Sequence, residues 1–370
     1  MQTDSIKPDL TVFRDQLFTG VIGQANPKKE FHFYLDSYQS TKVIPHLAII
    51  APKGQGKTKI ARAVAKGLYE YDTEGNLKWG YYDLDANNQA VWISCDKDDK
   101  VAGKVIKPKK KTLVEINCAS IKNLKAFINS VLVKYVVDKD VTVFFDEASE
   151  LPHDVSMALL TILELNPTHR TQYAYDEYIC DFDFRRQSFI FATTESQRVF
   201  SPLMDRMERI TLQEYTHQDL ADIVKINLPN VTIEQGLLLE ISSTLRGNAR
   251  AAHKMSEKIL SYLRGNKIFS RQDWISLKNT LTIRPLGLNA VEVLVLDFLR
   301  QNPNGTSLTG MSAKTGMSRE QLRLDSEMFL LRHNLMEITT TGRQITAQGI
   351  AYLKSLGEQN VSSKQLCATV

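Results

Sequence analysis

The sequence is poor in cysteine and has no long apolar run. Its four cysteines are scattered without a Cys-x-x-Cys pair, so we expect neither a disulfide framework nor a zinc site (Cys95, Cys118, Cys180 and Cys367). No stretch of about 18 apolar residues is present, and the first residues, MQTDSIKPDL, include no apolar signal region. These absences argue against a membrane span and against secretion, and we expect a cytoplasmic protein.

A large net charge is also missing. The 46 basic and 42 acidic side chains leave a formal charge of +4, which permits a nucleic-acid partner without requiring one. The length of 370 residues is enough for roughly two or three domains with cores of their own.

What is present is a phosphate-binding motif. Residues 51–58, APKGQGKT, fit the pattern G-x-x-x-x-G-K-[ST], except that Ala51 replaces the first glycine, and they lie between the apolar run HLAII and a helical pattern. The glycines let backbone N–H groups turn toward phosphate oxygens, the lysine reaches the β- and γ-phosphates, and the threonine hydroxyl ligates Mg²⁺. We therefore predict that a nucleotide and Mg²⁺ are bound by Gly54, Gln55, Gly56, Lys57 and Thr58.

A second motif lies downstream. The apolar run VTVFF ends in Asp146 and Glu147. A carboxylate at the end of such a strand can hold the Mg²⁺ shell, while its neighbour activates the attacking water. An Asp-Glu pair that only closes a turn or caps a helix is the alternative, and the upstream phosphate-binding loop favours the catalytic interpretation. We predict Asp146 as a metal ligand, together with Thr58, and Glu147 as the base.

The order of the elements predicts an α/β architecture. Five apolar runs alternate with helical patterns up to residue 215, which indicates a five-stranded parallel sheet with its ligands at the carboxyl ends of the strands. Turn signals predict β-hairpins in the segment 69–112, whose lysine-rich end is either a solvated loop, which we favour, or a DNA-facing patch. The patterns predict the divisions 1–215 (ATPase domain), 216–283 (wholly helical), 284–357 (RPLG linker, three helices and a β-wing) and 358–370 (tail).

These motifs resemble the AAA+ ATPases. FTGVIGQANPKKEFHFYL resembles the family's N-terminal segment, IFATTES its sensor-1 strand, FSPLMDRMERI its arginine-finger stretch and RGNARAAHKM its sensor 2. The resemblance implies that Ile22 borders the adenine and that Thr194 and Arg250 contact the γ-phosphate. It also implies that Arg206, rather than Arg209, completes the site of a neighbouring subunit, so that the protein works as a homo-oligomer. Taken singly, each of these residues is equally compatible with an ordinary strand end or surface ion pair.

Within the AAA+ ATPases, the chain resembles the RuvB family of Holliday-junction branch-migration motors. FATTESQRVFSPLMDRMERITLQEY is similar to that family's sensor-1-to-finger stretch, and ELNPTHRTQYAYDEYICDFDFRRQSF stands where RuvB has the β-hairpin that engages its RuvA partner. The departures are Ala51, the long segment 69–112, the absence of a basic residue in DEASELP and the details of the hairpin, with its Tyr173, Tyr175 and Tyr178. They leave the use of a RuvA-like partner open.

The C-terminal unit resembles a winged helix, a fold that binds nucleic acid or protein. Ser318 and Gln321 predict a capping box at the start of a helix. We expect this helix to bury Leu324, Met328 and Leu331 and to present Arg319 and Arg323 on another face. RuvB has a similar Gly-Arg pair in its wing, which implies that Arg343 approaches the DNA backbone.

The resulting hypothesis is an AAA+ P-loop ATPase with a parallel sheet, a helical lid and a winged helix. The resemblance implies a hexameric ring that moves duplex or four-way-junction DNA during branch migration. Two alternative functions also use ATP hydrolysis. The chain could be a clamp-loader-like switch, or a protein-remodelling ATPase whose winged helix binds a protein.

Overall fold

The computed structural model describes residues 16–367, and it describes side chains as far as residue 357. The N-terminal segment MQTDSIKPDL and the last three residues of the predicted tail lie outside the described residues. The chain divides into two compact units. The first comprises Met1–Asn227 and Gly247–Lys254, and the second comprises Leu228–Arg246 and Met255–Val370.

The first unit is built on a parallel sheet. Its elements in chain order are α1 (Ala25–Thr41), β1 (Leu47–Ile50), α2 (Lys57–Ala65), β2 (Trp79–Leu84), β3 (Ala90–Ser94), β4 (Lys107–Pro108), β5 (Thr112–Asn117), α3 (Leu124–Phe127, continued by a π-helix over Ile128–Val136), β6 (Val141–Asp146), α4 (His153–Ile162), β7 (Arg170–Tyr175), β8 (Tyr178–Asp183), β9 (Gln187–Thr193), α5 (Ser201–Met204), β10 (Glu208–Thr211) and α6 (His217–Ile226).

The five-stranded sheet has the order β10-β1-β9-β6-β5, and every pair in it is parallel. Successive residues of β6 enter different cores: Val143 and Phe145 pack on one face of the sheet with Phe191, and Phe144 packs on the other with Ile60 and Val64 of α2. Burial on both faces explains why the strands are continuous apolar runs. The predicted fold class is confirmed.

Two smaller antiparallel sheets are attached to this core. The segment 69–112 forms a three-stranded sheet of order β3-β2-β4, as its turn signals predict. The strands β7 and β8 form the hairpin that precedes β9. Its Tyr173, Tyr175 and Tyr178 pack against the core, whereas Ile179 is exposed. The alternation of aromatic residues in this hairpin therefore reflects strand packing.

The second unit is helical at first and ends in the winged helix. Its elements are β11 (Thr232–Ile233), α7 (Leu237–Ser242), the later part of α8 (Ala249–Leu263), β12 (Ile268–Phe269), α9 (Arg271–Leu281), α10 (Ala290–Gln301), α11 (Leu308–Thr315), α12 (Arg319–Gln321, continued by a π-helix over Leu322–Glu327), α13 (Met328–Arg332), β13 (Met336–Thr339), β14 (Gly342–Ile345) and α14 (Ala347–Cys367). The expectation that residues 216–283 are wholly helical is wrong, because β11 and β12 pair in parallel. These two-residue strands are too short to give a period-2 signal.

Among residues 16–367, no helix combines the length and the apolar character that crossing a membrane requires. The thiols of Cys95, Cys118 and Cys180 are free.

Candidate nucleotide site

The loop between β1 and α2 has the geometry that its glycines require. Gly54 and Gly56 have φ angles of +83° and +88°, which glycine adopts far more readily than other residues. A Cβ on Gly54 would also lie 2.3 Å from Oδ1 of Asn248. Ala51, in contrast, is buried and is not among the residues with positive φ. The replacement of the first glycine by alanine is therefore accommodated without backbone strain.

Lys57 is the first residue of α2, and its side chain lies back along the loop. Its Nζ donates to the carbonyl oxygens of Ala51 at 2.8 Å and Pro52 at 3.2 Å. Burial lowers the pKa of Lys57, and the nearby carboxylate of Asp146 opposes this effect. The lysine is thus a partly desolvated cation in the loop, where an anion would gain from its charge.

Thr58 and Asp146 meet across the sheet. The Thr58 hydroxyl donates to Oδ2 of Asp146 over 3.1 Å, and the Asp146 carboxylate also accepts from the backbone N–H of Glu147. A hydroxyl and a carboxylate are the hard oxygen ligands that Mg²⁺ takes from proteins, with phosphates and waters completing its shell. The topology explains why these two residues are close. Asp146 ends β6, Thr58 follows the loop after β1, and both strands end at the same edge of the parallel sheet.

Glu147 has a left-handed backbone, with φ 57° and ψ 51°. A residue other than glycine in this region costs about 1 kcal/mol or more, and such strain is typical of functional sites. The Glu147 side chain is exposed and lines the same cavity as Lys57 and Thr58. The turn therefore presents a solvent-accessible carboxylate beside the phosphate-binding loop.

One cavity of about 680 Å³ brings most of the predicted residues together. Its lining includes Ile22, Gly54, Gly56, Lys57, Thr58, Asp146, Glu147, Thr194 and Arg250. Gln55 is not in this lining, because its side chain is buried and its Nε2 donates to the Gly247 carbonyl at 2.8 Å. Arg62, Lys66 and Tyr215 also line the cavity and were missed by the sequence analysis. Arg62 and Lys66 could have been predicted, because their spacing of four residues from Thr58 places them on the same helix face.

The start of α8 is fixed on the loop by Asn248, another residue that the sequence analysis missed. Its Oδ1 accepts from the backbone N–H groups of Arg250 at 2.9 Å and Ala251 at 3.2 Å, and its Nδ2 donates to the Lys53 carbonyl. The backbone N–H of Arg250 reaches the Gly54 carbonyl at 3.2 Å. An asparagine directly before a helical pattern is an N-cap signal. The cap places the Arg250 side chain in the cavity.

Arg206 does not line this cavity, and neither does Arg209. Arg209 forms an ion pair with Asp205 at 2.5 Å. The Arg206 guanidinium has no hydrogen-bond or ion-pair partner among the residues that the structure describes. Its charge adds to burial in lowering the pKa of His46 to about 4. Of the two arginines, Arg206 is the one whose guanidinium is free to act elsewhere.

The predicted DNA-contacting arginines have different environments. Arg319 and Arg323 are exposed. Arg343 instead forms an ion pair with Glu327 at 3.0 Å, and the Glu327 side chain is only 4% exposed. The structure therefore gives Arg343 an internal partner, and its contact with a DNA backbone stays a prediction.

The predicted apolar face of the helix after Ser318 is wrong in part. Leu324 and Met328 are 55% and 54% exposed, and the buried positions include Leu322, Ser326 and Leu330. The capping box of Ser318 and Gln321 is confirmed. Positions 322, 326 and 330 and positions 324 and 328 both repeat in steps of four residues, so helical periodicity alone does not decide which set is buried.

Replacing Arg343 by alanine is expected to lower the free energy of unfolding of the winged helix by about 3 kcal/mol, because it leaves the buried Glu327 carboxylate uncompensated. Thermal and urea unfolding of the full chain measure this effect. The double variant Arg343→Met/Glu327→Met should recover most of the loss, whereas Arg319→Ala, at an exposed site, should change stability little. A single Arg343→Ala variant with normal stability would contradict a structural role for the ion pair.

The fold and the site together define a P-loop ATPase of the AAA+ class. A family model described as the RuvB C-terminal winged helix domain matches residues 285–354, and together with the relatives below it supports a RuvB-like AAA+ ATPase. The RuvB subunit of the Holliday junction branch migration complex of Orientia tsutsugamushi is 23% identical over 359 residues, covering 93% of this chain and 95% of that protein.

Two further comparisons agree with this class. The corresponding subunit of Crocosphaera subtropica is 28% identical over 182 residues, 47% of this chain and about half (51%) of that protein. The solved structure of the Thermotoga maritima RuvB Holliday junction branch migration motor superposes with a TM-score of 0.64 at 20% identity, covering 90% of this chain and 95% of that one. At this identity the structural likeness shows the fold alone.

Proposed function

We propose that this chain is an ATP-driven DNA motor of the RuvB type that moves duplex DNA during Holliday-junction branch migration. One observation carries the proposal: a single cavity gathers a glycine-rich loop, a lysine, an acidic pair and the capped start of α8 in a chain whose C-terminal unit matches the RuvB winged helix. Such a motor works where the DNA is, which we take to be the cytoplasm.

In this proposal ATP and Mg²⁺ occupy the cavity. Gly54, Gly56 and Lys57 hold the phosphates, Gln55 supports the loop through Gly247, and Ile22 borders the base. Thr58 and Asp146, whose oxygens are 3.1 Å apart, would hold the Mg²⁺, which would supply positive charge to the transferring phosphoryl group. Glu147 accepts a proton from the attacking water, and Thr194 and Arg250 contact the γ-phosphate.

The proposal includes a homo-oligomer, a hexameric ring, in which Arg206 of one subunit completes the site of the next. Its support is that the Arg206 guanidinium is half-buried, without a partner in the described part of the chain, and outside the cavity of its own subunit. A RuvA-like partner, if the chain uses one, would meet the β7–β8 hairpin, where Ile179 is exposed.

In this proposal each domain predicted from the sequence has its own function. Residues 1–215 form the ATPase domain, 216–283 the lid, 284–357 the DNA-binding winged helix and 358–370 a tail. Arg319 and Arg323, both exposed at the start of the helix that follows Ser318, are the proposed contacts to duplex DNA, with Arg343 in the wing.

The deciding experiment is the steady-state ATPase rate at low salt, without DNA and with duplex, four-way-junction or single-stranded DNA. We expect duplex and junction DNA to stimulate hydrolysis and the stimulation to fall steeply with salt. Stimulation that requires a protein clamp with primed DNA would identify a loader instead. Basal hydrolysis that no DNA changes would identify a protein-remodelling ATPase.

Lys57→Ala is expected to weaken ATP binding by about 10- to 100-fold, because it removes a charge-assisted hydrogen bond to phosphate. Equilibrium binding of a fluorescent ATP analogue measures this. Lys125→Ala is the control, since Lys125 is exposed and is not among the residues that line the cavity. ATP affinity within a few-fold of wild type in Lys57→Ala would contradict the assignment of the phosphate-binding loop.

A further inference from the structure

One face of the β2–β3–β4 sheet of the segment 69–112 carries exposed tyrosine and leucine side chains. Residues directly opposite each other in an antiparallel sheet share a face, and the register pairs Tyr82 with Trp92, Leu84 with Ala90 and Gly80 with Lys107. Tyr82 is 49% exposed and Leu84 is 61% exposed. We name this surface the basic–aromatic face and define it as Tyr82, Leu84, Trp92 and Lys107.

Of the two aromatic residues of this face, Tyr82 is half exposed, whereas Trp92 is partly buried, including its indole nitrogen. The rings of Tyr82 and Trp92 meet edge to face with centroids 5.0 Å apart. Trp92 lies over Gly80, where an added Cβ would come within 2.8 Å of the indole. The ammonium of Lys107 also lies over the Tyr82 ring, 5.3 Å from its centroid. A cationic side chain, rather than an apolar one, thus lies over this ring.

The charges of the face are of one sign. The strand positions that share this face, Gly80, Tyr82, Leu84, Ala90, Trp92 and Ser94, include no acidic residue. Lys107 has no ion-pair partner in the part of the chain that the structure describes. An unpaired cation on a face without carboxylates favours an anionic partner.

The opposite face of the same sheet differs. There Lys104 pairs with Asp83 at 2.6 Å and also lies over Tyr81, and Lys97 lies over Trp79. A carboxylate stands among these rings, so this face repels an anion more than the basic–aromatic face does. The comparison makes Lys97 a matched control for Lys107, because each lysine contacts one aromatic ring of the same sheet.

We propose that the basic–aromatic face binds single-stranded nucleic acid. Unpaired bases stack on the rings of Tyr82 and Trp92, and Lys107 contacts an adjacent phosphate. Aromatic rings interleaved with lysines are the features by which proteins hold single strands without reading their sequence. A duplex keeps its bases stacked and cannot use the rings, so the face prefers single strands. The inference does not depend on the proposed motor activity, since it concerns a different surface and a different form of nucleic acid.

Fluorescence anisotropy of the full chain with a labelled oligothymidylate, and with a duplex of equal length, tests the proposal at several salt concentrations. We expect Tyr82→Leu to weaken single-strand binding about tenfold, and Tyr82→Phe, which keeps the ring, to bind like wild type. Lys107→Ala should weaken it and reduce the magnitude of the salt slope by about 0.7. Lys97→Ala should stay within about twofold of wild type, and duplex affinity should not change in any variant.

Several outcomes would overturn the proposal. The first is that Tyr82→Leu and Lys107→Ala bind single strands as tightly as the wild type. The second is that Lys97→Ala loses as much single-strand affinity as Lys107→Ala, which would mean that lysines attract the strand non-specifically. Variants that lose duplex and single-strand affinity equally would also reject the proposal. So would single-strand binding too weak to detect in the wild type, and that result would favour a protein ligand for this face. Circular dichroism and thermal unfolding show that each variant is folded. DNA-stimulated ATPase activity is recorded separately, so failure of the motor proposal remains distinguishable.

Discussion

Arg206→Ala is expected to reduce steady-state ATP hydrolysis by about 10³-fold or more, the range measured for arginine fingers in phosphoryl transfer. ATP binding should stay within a few-fold of wild type, because Arg206 is outside the cavity that its own chain provides. The loss would reflect the charge that develops on the phosphoryl oxygens in the transition state, which the guanidinium would neutralise from a neighbouring subunit. Single-turnover and steady-state assays at protein concentrations that permit assembly measure the effect.

Two controls separate the finger from its surroundings. Arg209→Ala should retain most activity, since the Arg209 guanidinium is already held by Asp205. Arg206→Lys keeps the charge near His46 but loses the planar fork, so it should remain strongly impaired.

Mixing Arg206→Ala with Lys57→Ala subunits tests whether the arginine acts between subunits. In mixed oligomers some sites combine an intact loop with an intact finger, and these should regain hydrolysis that neither variant shows alone. Normal turnover in Arg206→Ala, or an equal loss in Arg209→Ala, would refute the assignment.

The part of the site that the sequence predicts is the part built from local motifs. Gly54, Gly56 and Lys57 are adjacent in the chain, and their geometry depends on backbone angles that glycine permits. Asp146 and Thr58 are distant in sequence, yet parallel topology alone places strand ends at one edge. For these residues, the motifs and the order of the apolar runs are enough to predict that the side chains lie close together.

The residues that the sequence did not predict depend on tertiary packing. Asn248 contacts the loop through hydrogen bonds to Lys53 and to the start of its own helix, and only the cap, not the loop contact, has a local signal. The ion pair of Glu327 with Arg343 joins a helix to the wing, and such a pair has no local signal. Leu324 is exposed although positions 324 and 328 repeat with the same spacing as the buried positions 322, 326 and 330, so helical periodicity does not distinguish the two faces.

Glu147→Gln is expected to bind ATP normally and to lower the rate of hydrolysis by about 10²- to 10⁴-fold, the contribution typical of a general base. The amide has nearly the shape of the carboxylate but cannot accept the proton of the attacking water. The left-handed turn at Glu147 places this side chain at the cavity, and the substitution keeps that turn. Single-turnover hydrolysis and the binding of a fluorescent nucleotide measure the two properties separately.

Glu150→Gln is the matched control, because Glu150 lies three residues further along the same turn and pairs with Arg198 at 3.2 Å instead of lining the cavity. It should hydrolyse ATP at nearly the wild-type rate. Asp146→Asn should differ from both variants by requiring more Mg²⁺, since it removes charge from the proposed metal ligands. If Glu147→Gln turned over normally while Asp146→Asn did not, the water would be activated by another group, and the strained turn would need a different explanation.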